Sequence, residues 1–202
     1  MVILERIFSA ELLRQGLVPA LVLVTVLTVL GRSPAAADYQ YPKQSPWWMS
    51  EVKVGALIHD VGVFGRSEED TNAVINGEAL FNLKGRLWKK IWSPRPHLGF
   101  SANTGGDTSQ LYTGMTWDFD ITGNGFGRWS MGAVVHDGEL RTSRTDEKEL
   151  GSRVLFRFAL EFGVRLTEHH NVSIILDHIS NGDLKDENEG LDNFGVRYGY
   201  RF

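Results

Sequence analysis

An all-β fold, an eight-stranded antiparallel transmembrane β-barrel, is what this sequence predicts. Three observations predict it. From Asp38 onward no helical period of useful length survives, and segments of period two recur between clusters of turn residues. The last of these segments alternates aromatic with small or cationic residues and closes on a C-terminal Phe202. The composition fits as well. The 202 residues include 22 glycines, 11 % aromatics and no cysteine, and mean hydropathy is slightly below zero. A helical membrane protein would be far more apolar, whereas a barrel averages a lipid-facing side against a polar lumen.

Composition also bounds the function. A net charge of −4 offers no basic field for nucleic acid. Without cysteine there is no disulfide framework, thiol nucleophile or zinc–thiolate cluster, and no cofactor is expected. Residues 1–37 read as a cleaved export signal. Arg6 and Arg14 precede the apolar run Leu17–Leu30, whose 14 residues are short of a membrane span, which needs roughly 20. Ala35-Ala36-Ala37 follows as a small-residue cleavage pattern, which places the mature barrel at 38–202.

The eight segments, in order, are Ser50–Val61, Ala73–Lys84, Pro96–Asn103, Ser109–Ile121, Phe126–His136, Gly151–Leu166, Asn171–Ser180 and Leu191–Phe202. Most approach the roughly 9–11 residues that a tilted membrane strand requires. The connections alternate in character. Those after the second, fourth and sixth segments are Lys84–Arg95, Thr122–Gly125 and Thr167–His170. The first of them is longer and carries Lys84, Arg86, Lys89 and Lys90 with Trp88 and Trp92, which reads as an interfacial anchor. The connections after the first, fifth and seventh segments are polar: Gly62–Asn72, Asp137–Leu150 and Asn181–Gly190. Short turns on the periplasmic side and longer loops outside are the barrel pattern, so both termini belong in the periplasm.

In the eighth segment Phe194, Val196, Tyr198, Tyr200 and Phe202 share one face, and Asn193, Gly195, Arg197, Gly199 and Arg201 the other. The terminal aromatic alternation resembles the assembly signal of bacterial outer-membrane barrels. A soluble β-sandwich or a lipocalin-like barrel would share the alternation, and both stay open on pattern alone.

The chemistry concentrates in the hairpin 171–202. His178 and Ser180 are two apart, so they point to the same face, together with Val172, Ile174 and Leu176. In a barrel that apolar row faces lipid, where ionisable side chains are costly and signal function. Asp192 has the parity of Phe194 and Val196, and a hairpin through Asn181–Gly190 brings it beside His178. The roles follow: Ser180 as nucleophile, His178 as general base, Asp192 as the acid that orients the imidazole. Asn181, by its side chain or a local backbone N–H, is an oxyanion donor. Consecutive same-face residues on a strand lie about 6.5–7 Å apart, so contact does not follow from parity alone, and a bulge or bend near Ser180 would help to bring it to His178.

The segment His178-Ile179-Ser180-Asn181-Gly182, followed by Asn188-Glu189-Gly190-Leu191-Asp192 and an aromatic last strand, resembles the lipid A 3-O-deacylase family (PagL type). The motif-level likeness covers about the last 30 residues. It implies an outer-membrane barrel that hydrolyses the ester-linked 3-O acyl chain of lipid A, with a His–Ser–acid triad open to the outer leaflet. The family's His and Ser fall on His178 and Ser180, and its Asn after the Ser on Asn181. The family acid is often Glu, whereas this chain has Asp192; Glu187 and Glu189 are the neighbouring substitutes. The implied partners are lipopolysaccharide and the outer membrane, and the sequence leaves a homodimer open. A non-catalytic small barrel in envelope integrity, adhesion or lipid binding is the rival reading.

The remaining candidates read more plainly. His59-Asp60, His136-Asp137 and His169-His170 lack a ligand set and read as surface residues. Asp183, Asp186, Glu187 and Glu189 crowd one loop, with Asp177 near, and read as a solvated loop rather than a cation site.

Overall fold

The structure is a computed structural model that describes residues 48–64, 72–121, 123–144 and 147–202. The export signal lies outside the described residues. Eight strands form: β1 (Met49–Ile58), β2 (Ala73–Phe81), β3 (Arg95–Asn103), β4 (Gln110–Asp120), β5 (Gly125–His136), β6 (Val154–Arg165), β7 (His170–Ser180) and β8 (Leu191–Arg201). Each pairs antiparallel with its neighbour in sequence, and β1 closes on β8, with Val52 opposite Tyr200 and Ile58 opposite Phe194. Closure matters physically, because an open edge in hydrocarbon would leave backbone N–H and C=O groups without partners. One helical turn, α1 (Arg86–Lys90), sits in the long connection between β2 and β3. The sequence reading treated that segment as a turn.

The two faces of the wall decide between the barrel types. Outward residues are apolar and stay exposed: Val54, Ile75, Leu98, Phe100, Leu111, Met131, Val135, Val154, Phe156 and Val196 are each about half open or more. A soluble protein does not leave such a continuous belt in water, and lipid is the solvent that fits it. Inward residues are charged and paired. Arg128 meets Glu51 (3.0 Å), Asp118 (2.7 Å) and Glu161 (2.8 Å). Lys53 bridges Glu78 (3.0 Å) and Glu161 (2.8 Å), and Arg95 joins Glu51 to Asp118. Arg157 pairs with Asp177 at 2.8 Å. A lipocalin-like carrier would be built the other way round, with an apolar lumen. Here the lumen is filled by an ion-pair lattice, so the interior is a packed polar core rather than a channel.

The barrel has two distinct ends. The connections after β1, β3, β5 and β7 leave at one end, and the turns after β2, β4 and β6 at the other. At the loop end the lumen is sealed by an apolar cluster of Tyr112, Val134, Leu150, Leu155, Ile179 and Leu191. Leu150 is contributed by the loop after β5. Two residues before it, Lys148 is fully buried and pairs with Asp60 at 2.8 Å, tying that loop to the one after β1. His59, Asp60 and His136 therefore correct the surface reading. All three are buried, because the loop end folds inward over the lumen instead of standing in water. His169 lies exposed at the turn end.

Candidate active site

β7 alternates strictly along its length, with Asn171, Ser173, Ile175, Asp177 and Ile179 inward and buried. His178 and Ser180 consequently stand on the lipid-facing side, half-buried, at the last two outward positions before the loop. Register puts His178 directly opposite Asp192 on β8. On the other flank, His178 faces Phe158 and Ser180 faces Phe156, both outward and exposed. The polar pair thus sits at the top of an apolar wall.

His178 Nδ1 and Asp192 Oδ1 are 2.7 Å apart. A carboxylate only accepts, so Nδ1 donates to it, which in the neutral ring leaves the lone pair on Nε2. Asp192 has outward parity yet is completely buried. The residues after β1 explain this: the chain from 59 to 64 folds over the outside of the hairpin. Phe64 N–H donates to Asp192 Oδ2 at 2.5 Å, and Val61 N–H donates to the Asp192 carbonyl at 2.8 Å. The Phe64 ring then meets the His178 ring edge-on, centroids 5.5 Å apart. A carboxylate shielded from water but supplied with donors is a strong orienting group. Gly190 completes the packing. Its φ of +67° and a position where a Cβ would stand 3.0 Å from His178 Cε1 both favour glycine there.

Ser180 is placed beside this pair without being joined to it. The pairing of β6 with β7 runs unbroken to Ser180, with no bulge to bring it to His178. Among the described residues Ser180 makes no side-chain hydrogen bond, to His178 or to any other group. Asn181 corrects the sequence reading more sharply. It continues the inward parity of β7 and is buried. Its amide donates to the Leu150 carbonyl (3.2 Å) and the Glu187 carbonyl (2.5 Å), and its backbone N–H donates to Asn188 Oδ1 (2.9 Å). None of these donors is left for an oxyanion. Gly182 and Asp183 follow with φ of +66° and +60°, and Leu184 N–H returns to the Asn181 carbonyl at 3.4 Å. Two successive positive φ values are what a tight type I′ turn demands. The Gly182 N–H has no hydrogen-bond partner among the described residues.

The substitute acids are occupied elsewhere. Glu187 pairs with Arg141 at 2.8 Å, and Glu189 accepts from the backbone of Glu149 at 2.8 Å. Asp177 points into the lumen toward Arg157. Among the described residues no three His, Asp or Glu side chains converge as a metal set. The sequence reading missed Phe64 and Lys148. The apolar pair Val63-Phe64 in an otherwise polar loop was the available signal for the first; nothing marked the second.

Fold and outward-facing polar pair define a transmembrane β-barrel of the outer-membrane type with an enzyme-like site at its loop end. The sequence profile of the lipid A 3-O-deacylase (PagL) family matches residues 75–201, and the chain belongs to that family. Among solved structures it is similar to the outer membrane enzyme PagL, at 16 % identity and TM-score 0.55, covering 73 % of this chain and 97 % of that one. It is also similar to neisserial surface protein A, at 8 % identity and TM-score 0.51, covering 75 % and 96 %. These likenesses show the fold. No curated protein sequence matches the chain significantly.

Proposed function

We propose that the chain hydrolyses the 3-O ester-linked acyl chain of lipid A by a serine-esterase mechanism, working from the outer leaflet of the outer membrane. The observation that carries this reading is the 2.7 Å His178–Asp192 pair on the lipid-facing side, with Ser180 two residues along the same face. A scaffold barrel has no need to bury a carboxylate under a loop in order to orient a histidine toward lipid.

The proposed steps are these. Lipid A reaches the site by lateral diffusion, its ester at the level of Ser180 and its acyl chain against Phe156 and Phe158. Substrate binding draws Ser180 to His178, since catalytic hydrogen bonds often form fully only in the Michaelis complex. His178 Nε2 takes the Ser180 proton as Oγ attacks the ester carbonyl. Asp192 holds the imidazole and stabilises the imidazolium. The developing oxyanion is met by the backbone N–H of Gly182. His178 returns the proton to the departing sugar hydroxyl, and water from the outer surface then hydrolyses the acyl-serine. The shorter Asp192 serves in place of Glu because the 59–64 segment presses it onto the imidazole.

Purified, refolded chain incubated with purified lipid A tests this directly. Release of a 3-hydroxy fatty acid, with lipid A losing only its 3-O chain and Ser180→Ala inert, is expected. Release of a different chain would overturn the positional claim. Equal release by the Ser180→Ala protein would overturn the mechanism.

A further inference from the structure

The connection between β2 and β3, at the end opposite the triad, is left unused by the proposed chemistry. Lys84, Arg86, Lys89 and Lys90 fall within seven residues, and no acidic residue occurs between Leu83 and Pro94. Among the described residues none of the four cations has a carboxylate partner. The lumen behaves differently, for its arginines and lysines are paired through the lattice.

The placement of the segment is specific. Trp117 lies on the outward face of β4, stacked on Trp129 of β5 at 4.1 Å. Its indole N–H donates to the Ile91 carbonyl at 2.9 Å. Ile91, just after α1, is therefore tied to the outside of the wall. The Trp88 indole N–H donates to the Pro94 carbonyl at 2.6 Å and closes the loop on itself. Between these fixed points lies a cleft of about 430 Å³, lined by Lys84, Arg86, Trp88, Lys89 and Ser93. Leu83 in its lining is 51 % exposed, and Trp92, next in sequence to Ser93 of the lining, is 84 % exposed. On the adjoining wall, Phe81, Pro96 and Leu98 face outward.

We propose that this cleft binds the phosphodiester headgroup of an anionic phospholipid in the leaflet that the turn end faces. Lys84, Arg86 and Lys89 supply the countercharge, Ser93 and the cations supply donors, and Trp88 and Trp92 sit at headgroup depth. The acyl chains descend along Phe81, Pro96 and Leu98. A free phosphate would have no use for that apolar surface. The proposal rests on the membrane placement of the barrel but not on its catalysis, so either can fail alone.

The test is native mass spectrometry of the full-length chain, refolded in micelles with equal phosphatidylglycerol and phosphatidylethanolamine. Each cation near an anionic lipid surface is worth roughly a fivefold change in partition, so retention should favour phosphatidylglycerol by at least about tenfold. The Lys84→Gln/Arg86→Gln/Lys89→Gln variant should lose the preference. A Lys185→Gln control, at the opposite end, should keep it. Both variants are first checked for compact migration on unheated gels, which reads barrel folding. Equal retention of the two lipids by the unaltered chain would overturn the proposal, as would a preference surviving in the triple variant. Complete displacement of phosphatidylglycerol by millimolar inorganic phosphate would reassign the cleft to a free anion and overturn it equally.

Discussion

Asp192 shows how one side chain acquires a role from its surroundings. Its carboxylate is removed from water, given donors from Phe64 N–H and His178 Nδ1, and so fixed as an acceptor. Asp192→Asn keeps the shape but favours the wrong imidazole tautomer. It should lower the deacylation rate by about 10⁴-fold, by analogy with the serine-protease acid, while the barrel still folds. Initial rates of fatty-acid release, beside gel mobility of the unheated protein, check this. Gly190→Ala attacks the same histidine sterically, since the new methyl would stand 3.0 Å from His178 Cε1 in a backbone with φ of +67°. It should cost activity with little loss of barrel stability. The His178–Asp192 pairing was legible in sequence because strand parity and hairpin pairing suffice to set the two side by side, whereas Ser180 shares their face without a hydrogen bond to the imidazole. Asn181 was misread because the same parity, carried one residue further, sends its amide into the lumen mouth.

At the scale of elements, the segment after β1 is what the sequence concealed. Nothing periodic governs residues 59–64, so their fold over Asp192 is set by tertiary contacts that no pattern announces. The two parts of its action separate by mutation. Phe64→Ala removes the ring edge on His178 but leaves the N–H that serves Asp192. Phe64→Pro removes that N–H. A hydrogen bond to a charged group is worth about 1.5–3 kcal/mol, so the proline variant should be slower than the alanine variant by roughly 10- to 100-fold. Equal rates for the two would mean that the backbone donor contributes nothing. The eight strands themselves were readable to within a few residues. The terminal alternation of β8 was the clearest case, and the structure turns Val196 and Tyr198 outward and Arg197 inward as the pattern required.

The whole molecule is an apolar exterior closed around charge. Single inward residues such as Glu51, Lys53, Arg128 and Glu161 could be seen in the sequence as polar alternation. Their pairing across the lumen could not, because it depends on how the strands stagger on closure. Arg128 contacts three carboxylates. Arg128→Met would take one cation from each of them while Arg95 still serves Glu51 and Asp118 and Lys53 still serves Glu161, so it should cost part of the about 3–5 kcal/mol of a fully broken buried pair, read as a lower urea midpoint for unfolding in micelles. A midpoint unchanged by the substitution would show that water penetrates the lumen and screens the lattice. Such a lumen gives the His178–Asp192 pair a rigid platform at one rim, and under the proposed function the apolar exterior would deliver the lipid substrate to it. The most direct measurement is the lipid A mass spectrum of cells expressing the full-length chain, beside cells expressing Ser180→Ala at equal levels in the outer membrane. Loss of one 3-O-linked hydroxyacyl chain with the native sequence, and unchanged lipid A with the variant, is the predicted result. Unchanged lipid A in both, with both barrels folded, would contradict the account and leave a non-catalytic barrel in its place.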